Sequence, residues 1–330
     1  MKKIVSFFGE PSPVFDELNR RAESYAAEKG FAYRWVPQKP FDQAQVIQCL
    51  QESDMGLIDV EPYGEEIFRA IDGKCPLLVR FGVGYDKVDL AAATRHGIAV
   101  ARTTGANASG VAEMALTLIL ACRRELRPNR FRCIETGRWD KYIASETAGG
   151  TVGILGFGAI GRLLAKLLLG LGCTVIAYDP FPNQALAQEM GVRLVDLDEL
   201  FTTSDAISVH VPYNPDTHHM VNAARLAQMK PTAVIVNTAR GNIIDEDALY
   251  DALKAGQIRG AGLDVYAVEP LPAESKLLEL DNLILSPHFS SQTVESLWNT
   301  YKMAIDITVD FYAGNPSPHI LNPEYKTRRV

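Results

Sequence analysis

Three residues of complementary chemistry stand out in the sequence: Arg240, Glu269 and His288. Each follows a short apolar run that reads as a strand. Arg240 lies in Asn237-Thr238-Ala239-Arg240-Gly241, Glu269 in Tyr266-Ala267-Val268-Glu269-Pro270, and His288 closes Ser286-Pro287-His288. A guanidinium can hold a substrate anion, and an imidazole can give and recover a proton near neutral pH. A neighbouring carboxylate favours the protonated imidazole. Each type alone is common at a surface. Together they offer what a carbonyl needs to accept a hydride: a proton donor, an anchor for the substrate anion, and a group that tunes the donor.

Upstream, Gly156-Phe157-Gly158-Ala159-Ile160-Gly161 follows the apolar run Thr151–Leu155 and opens a helical pattern. This is the context in which such a glycine series binds a dinucleotide. Gly156 permits the tight turn, Gly158 lets a pyrophosphate approach the backbone, and Gly161 lets the helix pack on its strand. The helix N-terminus offers unpaired N–H groups to the phosphates. The next strand, Thr174–Tyr178, ends at Asp179, whose carboxylate can accept hydrogen bonds from ribose hydroxyls and would repel a 2′-phosphate. No Arg or Lys follows in Pro180-Phe181-Pro182. The expected cofactor is NAD rather than NADP.

The elements that must position these residues alternate. Ile4–Phe8, Phe31–Val36, Gly56–Val60, Leu77–Phe81 and Ile98–Ala101 read as strands, with helical patterns over Phe15–Lys29, Gln43–Glu52, Gly64–Ala70 and Val88–His96. A helix over Val111–Arg124, apolar on most sides, is expected to be buried between domains. The alternation resumes at Thr151 with Ala159–Leu171, Ala185–Met190, Ala223–Gln228 and Glu246–Ala255 as helices. Arg193–Leu194, Ala206–Val211, Ala233–Asn237, Gly260–Asp264 and Asn282–Leu285 read as extended pieces, before a last helix from about Gln292 to Ala313. Strand–helix alternation predicts α/β domains with doubly wound parallel sheets. The segment Arg127–Ala148 has no period and reads as an arm, a dimer contact or a surface loop.

The 330 residues, too many for one core, are 47% hydrophobic and 22% charged. The net charge of -7, without a basic stripe, argues against nucleic-acid binding. No apolar stretch is long enough for a membrane span, and the five-residue apolar run near Met1 is too short for a signal peptide. Cys49, Cys75, Cys122, Cys133 and Cys173 show no CxxC spacing, so no metal site is expected. Reduced, buried cysteines in a cytoplasmic protein are expected instead.

From about Leu77 to Trp298 the sequence resembles the NAD-dependent D-isomer-specific 2-hydroxyacid dehydrogenases. The resemblance rests on Arg80-Phe81-Gly82-Val83-Gly84-Tyr85-Asp86-Lys87-Val88-Asp89, Val111-Ala112-Glu113, the glycine fingerprint with Tyr178-Asp179-Pro180, Asn237–Gly241, Gly262-Leu263-Asp264-Val265-Tyr266, Glu269-Pro270 and Ser286-Pro287-His288. It implies that Arg240, Glu269 and His288 are catalytic: Arg240 binds the substrate's carboxylate and carbonyl, His288 exchanges the proton, and Glu269 supports His288. The Gly82-Val83-Gly84 loop would offer amides to the carboxylate through Val83 and Gly84. Ala159, Ile160, Val211, Pro212, Thr238 and Ala239 would line the cofactor, and Asp264 would hold the nicotinamide amide.

The resemblance further implies a Rossmann NAD-binding domain (105–297) inserted into a flavodoxin-like substrate-binding domain (1–104 plus 298–330), with the active site in the cleft, and a homodimer. Gly105-Ala106-Asn107-Ala108 looks like the phosphoglycerate dehydrogenase branch. However, the regulatory domain of many of those enzymes has no counterpart, and Asp59 and Glu61 would repel a substrate phosphate. A small unphosphorylated 2-keto or 2-hydroxy acid, such as glyoxylate, hydroxypyruvate or a lactate-like compound, is expected. The alternatives are a 3-phosphoglycerate dehydrogenase and a non-catalytic NAD-sensing binding protein. Intact Arg240, Glu269 and His288 favour an enzyme.

Overall fold

The computed structural model describes residues 1–38, 40–126, 134–139 and 141–327. The chain divides into two compact units, Met1–Asn107 with Thr293–Val330, and Ala108–Gln292.

The first unit holds β1 (Lys2–Ser6), β2 (Phe31–Trp35), β3 (Met55–Ile58), β4 (Leu77–Arg80) and β5 (Ala99–Arg102). They form one parallel sheet in the order β2-β1-β3-β4-β5, which is the flavodoxin-like winding. The buried stretches of its strands are mainly apolar because helices cover both faces. Ile4, Leu57, Leu77 and Val79 face the helices Pro13–Glu28 and Val294–Ala313 through Leu18, Ala22, Tyr301 and Ala304. Val5, Ile58, Leu78 and Val100 face the helices Gln43–Gln51, Glu65–Ile71 and Leu90–Arg95. Fully burying one such side chain contributes roughly 1.5–3 kcal/mol. The chain after Ala313 closes this unit. Leu321 N–H donates to Val100 O at 2.8 Å, and Asn322 accepts from Val100 N–H at 2.8 Å while donating to Ile98 O at 2.9 Å.

The second unit contains β6 (Thr151–Leu155), β7 (Thr174–Tyr178), β8 (Arg193–Leu194), β9 (Ala206–Val209), β10 (Val234–Asn237), β11 (Gly260–Leu263) and β12 (Leu283–Leu285). All are parallel, in the order β12-β11-β10-β9-β6-β7-β8. This is the Rossmann winding, with the order reversing between β6 and β9. The apolar helix runs over Ala108–Arg123. Its Ala112, Ala115, Leu118, Ile119 and Cys122 pack inside this unit against Val152, Ile154, Leu164 and Leu168.

Several expected bounds shift. β3 ends at Ile58 and β9 at Val209, the latter short of Pro212, which has no N–H to donate to a ladder. The last helix starts at Val294, where the Thr293 side chain accepts from Ser296 N–H. A helix over Leu197–Thr203 was not expected at all. It starts at Asp196, whose side chain accepts from Glu199 N–H at 2.8 Å, a polar N-cap. Cys49, Cys75 and Cys173 are free and buried, and Cys122 is buried. Cys133 and part of the Arg127–Ala148 segment lie outside the described residues. Among the described residues no helix is long and apolar enough to cross a membrane, and no cluster of His, Cys, Asp and Glu could hold a metal ion.

Candidate active site

The glycine loop is shaped as its spacing requires. Gly156 has φ +105°, and a Cβ there would lie 2.7 Å from the His210 carbonyl carbon and the Val211 nitrogen. A Cβ at Gly161 would run into the carbonyl oxygen of Gly156, whereas one at Gly158 would meet nothing within 4 Å. The cradle is therefore closed on its protein side and open at Gly158. Gly158 caps the helix Ala159–Gly170, and among the described residues no side chain caps it; amides at such a helix end can bind phosphate oxygens. Asp179 ends β7. Its Oδ2 accepts from Phe157 N–H at 2.8 Å and its Oδ1 from Phe181 N–H at 2.9 Å, so the carboxylate is held at the rim of the same loop.

Two buried polar atoms near the ends of β9 and β10 have no hydrogen-bond partner among the described residues: His210 Nδ1 and Thr238 Oγ1. The other ring nitrogen of His210 bonds Ser208 Oγ at 2.8 Å. Burial pulls the His210 pKa down to about 3, so the ring is neutral. The open cradle, the rim carboxylate and these unpaired polar atoms fit a dinucleotide. Val211 is buried, Pro212 exposed, and Ala239 half-buried.

Arg240 sits in a loop folded by Asn237. The Asn237 side chain donates to Arg240 O at 2.9 Å and accepts from Ala239 N–H at 2.9 Å. Arg240 Nη1 donates to Ala239 O at 2.7 Å. Next to it, Gly241 packs directly on the backbone of Tyr266 and Ala267, where a Cβ would collide. The Arg240 loop and the Glu269 loop are thus in backbone contact.

Glu269 and His288 form a pair. Glu269 Oε2 lies 2.7 Å from His288 Nδ1, and Glu269 Oε1 accepts from Tyr266 N–H at 3.0 Å. Partial burial opposes ionisation of Glu269, but the His288 and Tyr266 hydrogen bonds and the charges of His288 and Arg240 outweigh it, holding the carboxyl below its usual range. The His288 side chain is 44% exposed, and its other ring nitrogen has no partner among the described residues. His288 has φ +49°, a left-handed conformation that few residues other than glycine adopt. The surrounding loop must therefore hold it there.

Asp264 does so. It is fully buried, and its carboxylate accepts from Ser286 Oγ at 2.6 Å, Phe289 N–H at 3.1 Å, Ser290 N–H at 3.0 Å and the Ser290 hydroxyl. The bonds close the chain on both sides of His288, a bracing role that the sequence reading missed. Glu246 was also missed. Its Oε1 accepts from Ala267 N–H at 2.7 Å, within the turn that carries Glu269. Burial, then the negative charges of Asp247 and Glu269, push its carboxyl above the usual range.

In the first unit the Gly82-Val83-Gly84 loop follows β4. Gly82 has φ +110°. Its N–H donates to Thr103 Oγ1 at 2.7 Å, and its carbonyl accepts from Thr103 N–H at 3.1 Å. Among the described residues the N–H groups of Val83 and Gly84 have no partner. Arg102, also missed, donates from Nη1 to Val83 O at 3.3 Å, and its guanidinium lies 5.3 Å from the centre of the Tyr85 ring.

Residues 116–290 match the model of the D-isomer specific 2-hydroxyacid dehydrogenase NAD binding domain. The chain is 34% identical over 320 residues to a glyoxylate reductase of Korarchaeum cryptofilum, covering 94% of this chain and 95% of that one. It is 43% identical over 224 residues to a hydroxypyruvate reductase of Thermotoga maritima, covering 67% of this chain and 72% of that one. It is 38% identical over 286 residues to a D-3-phosphoglycerate dehydrogenase of Synechocystis, covering 85% of this chain but only 50% of that one. Among solved structures, D-2-hydroxyisocaproate dehydrogenase superposes with a TM-score of 0.87 at 27% identity, over 98% of this chain and 100% of that one.

Proposed function

Because the chain belongs to the D-isomer-specific 2-hydroxyacid dehydrogenases, we propose that it reduces a small, unphosphorylated 2-keto acid to the D-2-hydroxy acid with NADH. The observation that carries this reading is the 2.7 Å contact between Glu269 Oε2 and His288 Nδ1, beyond the strand ends of an NAD-binding unit. The proposal assigns NAD to Gly156, Gly158, Ala159, Ile160, Gly161, Asp179, Val211, Pro212, Thr238 and Ala239, with Asp264 acting through the loop it braces. Bound there, the cofactor supplies a hydride to the substrate carbonyl.

The chain's own groups do the rest. Arg240 holds the substrate's carboxylate and polarises its carbonyl; in the first unit the unpaired amides of Val83 and Gly84 form a carboxylate-binding pair. His288 delivers a proton from its exposed ring nitrogen to the carbonyl oxygen as it gains negative charge, and takes it back in the oxidation. Glu269, kept ionised, fixes the ring orientation and stabilises the protonated imidazole. Glyoxylate or hydroxypyruvate suits the site. Asp59 and Glu61 follow β3, where two carboxylates disfavour a phosphate.

The reading extends to a cytoplasmic homodimer. Its support is the free, buried Cys49, Cys75 and Cys173 and the exposed apolar side chains of Trp139 and Ile143. The decisive experiment follows NADH absorbance with glyoxylate, hydroxypyruvate, pyruvate and 3-phosphohydroxypyruvate. An unphosphorylated substrate is expected to be preferred, and His288→Ala to slow it by about 100- to 10,000-fold. Survival of activity within a few-fold would remove His288 from its assigned role, and preference for the phosphorylated acid would overturn the substrate class.

A further inference from the structure

Arg102 ends β5 directly beside Arg80, its register partner at the end of β4. It is half-buried, and among the described residues no carboxylate pairs with it. A partly desolvated guanidinium without a counter-ion is costly unless it serves an anion or a strong dipole. Its donor contact is Val83 O, the carbonyl of the same peptide unit that carries the Gly84 N–H. In a trans peptide those two groups point in opposite directions. A cation fixed on the carbonyl side therefore aims the Gly84 N–H the other way. It also polarises the peptide, which strengthens that N–H as a donor. Thr103, the next residue, holds Gly82 through both its hydroxyl and its amide. Tyr85 under the guanidinium keeps Arg102 on the carbonyl side.

We infer that Arg102 is a positioning residue for the carboxylate-binding loop: it grips the back of the Val83–Gly84 peptide and sets the direction and strength of the Gly84 amide as an anion donor. Arg102 does not touch the substrate in this arrangement. The inference rests on the reading of Val83 and Gly84 as the carboxylate site, and it deepens that reading by naming what prepares the site for a carboxylate.

The test uses the NADH-bound protein and oxamate, a non-reducible carboxylate, titrated by the change in NADH fluorescence, together with steady-state kinetics for glyoxylate. Arg102→Ala is expected to weaken oxamate binding and raise KM by about tenfold, with kcat and the Kd for NADH changed less than threefold. Arg102→Lys, which keeps a cationic donor, is expected to recover most of the loss. Loss of packing alone would lower kcat and the melting temperature together, leaving no selective effect on oxamate binding. Failure of oxamate to bind the wild-type complex overturns the carboxylate-site reading and this inference with it. Oxamate binding that Arg102→Ala leaves within twofold, or a defect that Arg102→Lys does not relieve, overturns the role of Arg102 alone.

Discussion

Ser290 donates to Asp264 twice, from its backbone N–H at 3.0 Å and from its hydroxyl. With Ser286 and Phe289 bonded to the same carboxylate, the left-handed backbone at His288 is clamped from both sides. The position of the imidazole therefore depends on a buried acid that lies beneath it.

Substituting that acid should show the dependence. Asp264→Asn keeps the shape but turns an NH2 group toward donors, costing about 1–3 kcal/mol. Ser290→Ala removes one donor and costs roughly 0.5–1.5 kcal/mol. Urea unfolding is expected to rank wild type above Ser290→Ala and Ser290→Ala above Asp264→Asn, with kcat falling in the same order. Three equal stabilities would show that the clamp contributes nothing.

Gly241 is the point where the Arg240 and Glu269 loops meet. A methyl group in Gly241→Ala would collide with the Tyr266 carbonyl group and the Ala267 nitrogen, and backbone cannot swing aside as a flexible side chain can. Overpacking of this kind costs about 1–3 kcal/mol. Both kcat and KM should worsen, because Arg240 and Glu269 move relative to one another. A variant destabilised by that amount with unchanged kinetics would refute the coupling.

Asp179 should set cofactor preference. Asp179→Ser removes the carboxylate that would repel a 2′-phosphate, and the KM for NADPH is expected to fall about tenfold, or ~1.4 kcal/mol. NADH binding should weaken at the same time, because the carboxylate also holds the Phe157 and Phe181 amides. An unchanged preference, measured by kcat/KM for the two cofactors, would place the selectivity elsewhere.

The first unit has a separate pH response. His96 Nε2 lies 2.8 Å from Glu65 and Nδ1 3.2 Å from Asp72, and Arg95 also bonds Glu65. The hydrogen bond to Glu65, then that to Asp72, outweigh burial and raise the His96 pKa. A raised folded-state pKa adds stability that is complete below the unfolded value of about 6.5 and lost as pH rises through the folded value. His96→Gln should therefore lower the melting temperature more at pH 6 than at pH 9. The opposite order would contradict the pairing.

Much of this was legible because strands buried on both faces are written as continuous apolar runs, and because the glycine spacing carries its own geometry. The helix Leu197–Thr203 escaped notice. Its buried side chains are only Leu200 and Phe201, and Thr202-Thr203-Ser204 reads as a loop. Asp196 and Glu199, three apart, were the available signal. Arg102, Glu246 and the bracing role of Asp264 escaped for another reason. Arg102 and Glu246 bind a backbone carbonyl and an amide 19 and 21 residues away, and Asp264 binds groups 22 to 26 residues ahead. No local spacing rule encodes such contacts.

The return of residues beyond Thr293 to cover the first sheet has a consequence for how the molecule is made. Ala108–Gln292 is contiguous and can fold as soon as it clears the ribosome. The first unit lacks the helix Val294–Ala313 and the Asn322 clasp until the whole second unit has been synthesised. Synthesis thus imposes an order, with the nucleotide-binding half mature first and the flanking half last. An interrupted message would leave the exposed apolar faces of Leu57, Leu77 and Val79 as targets for chaperones and proteases.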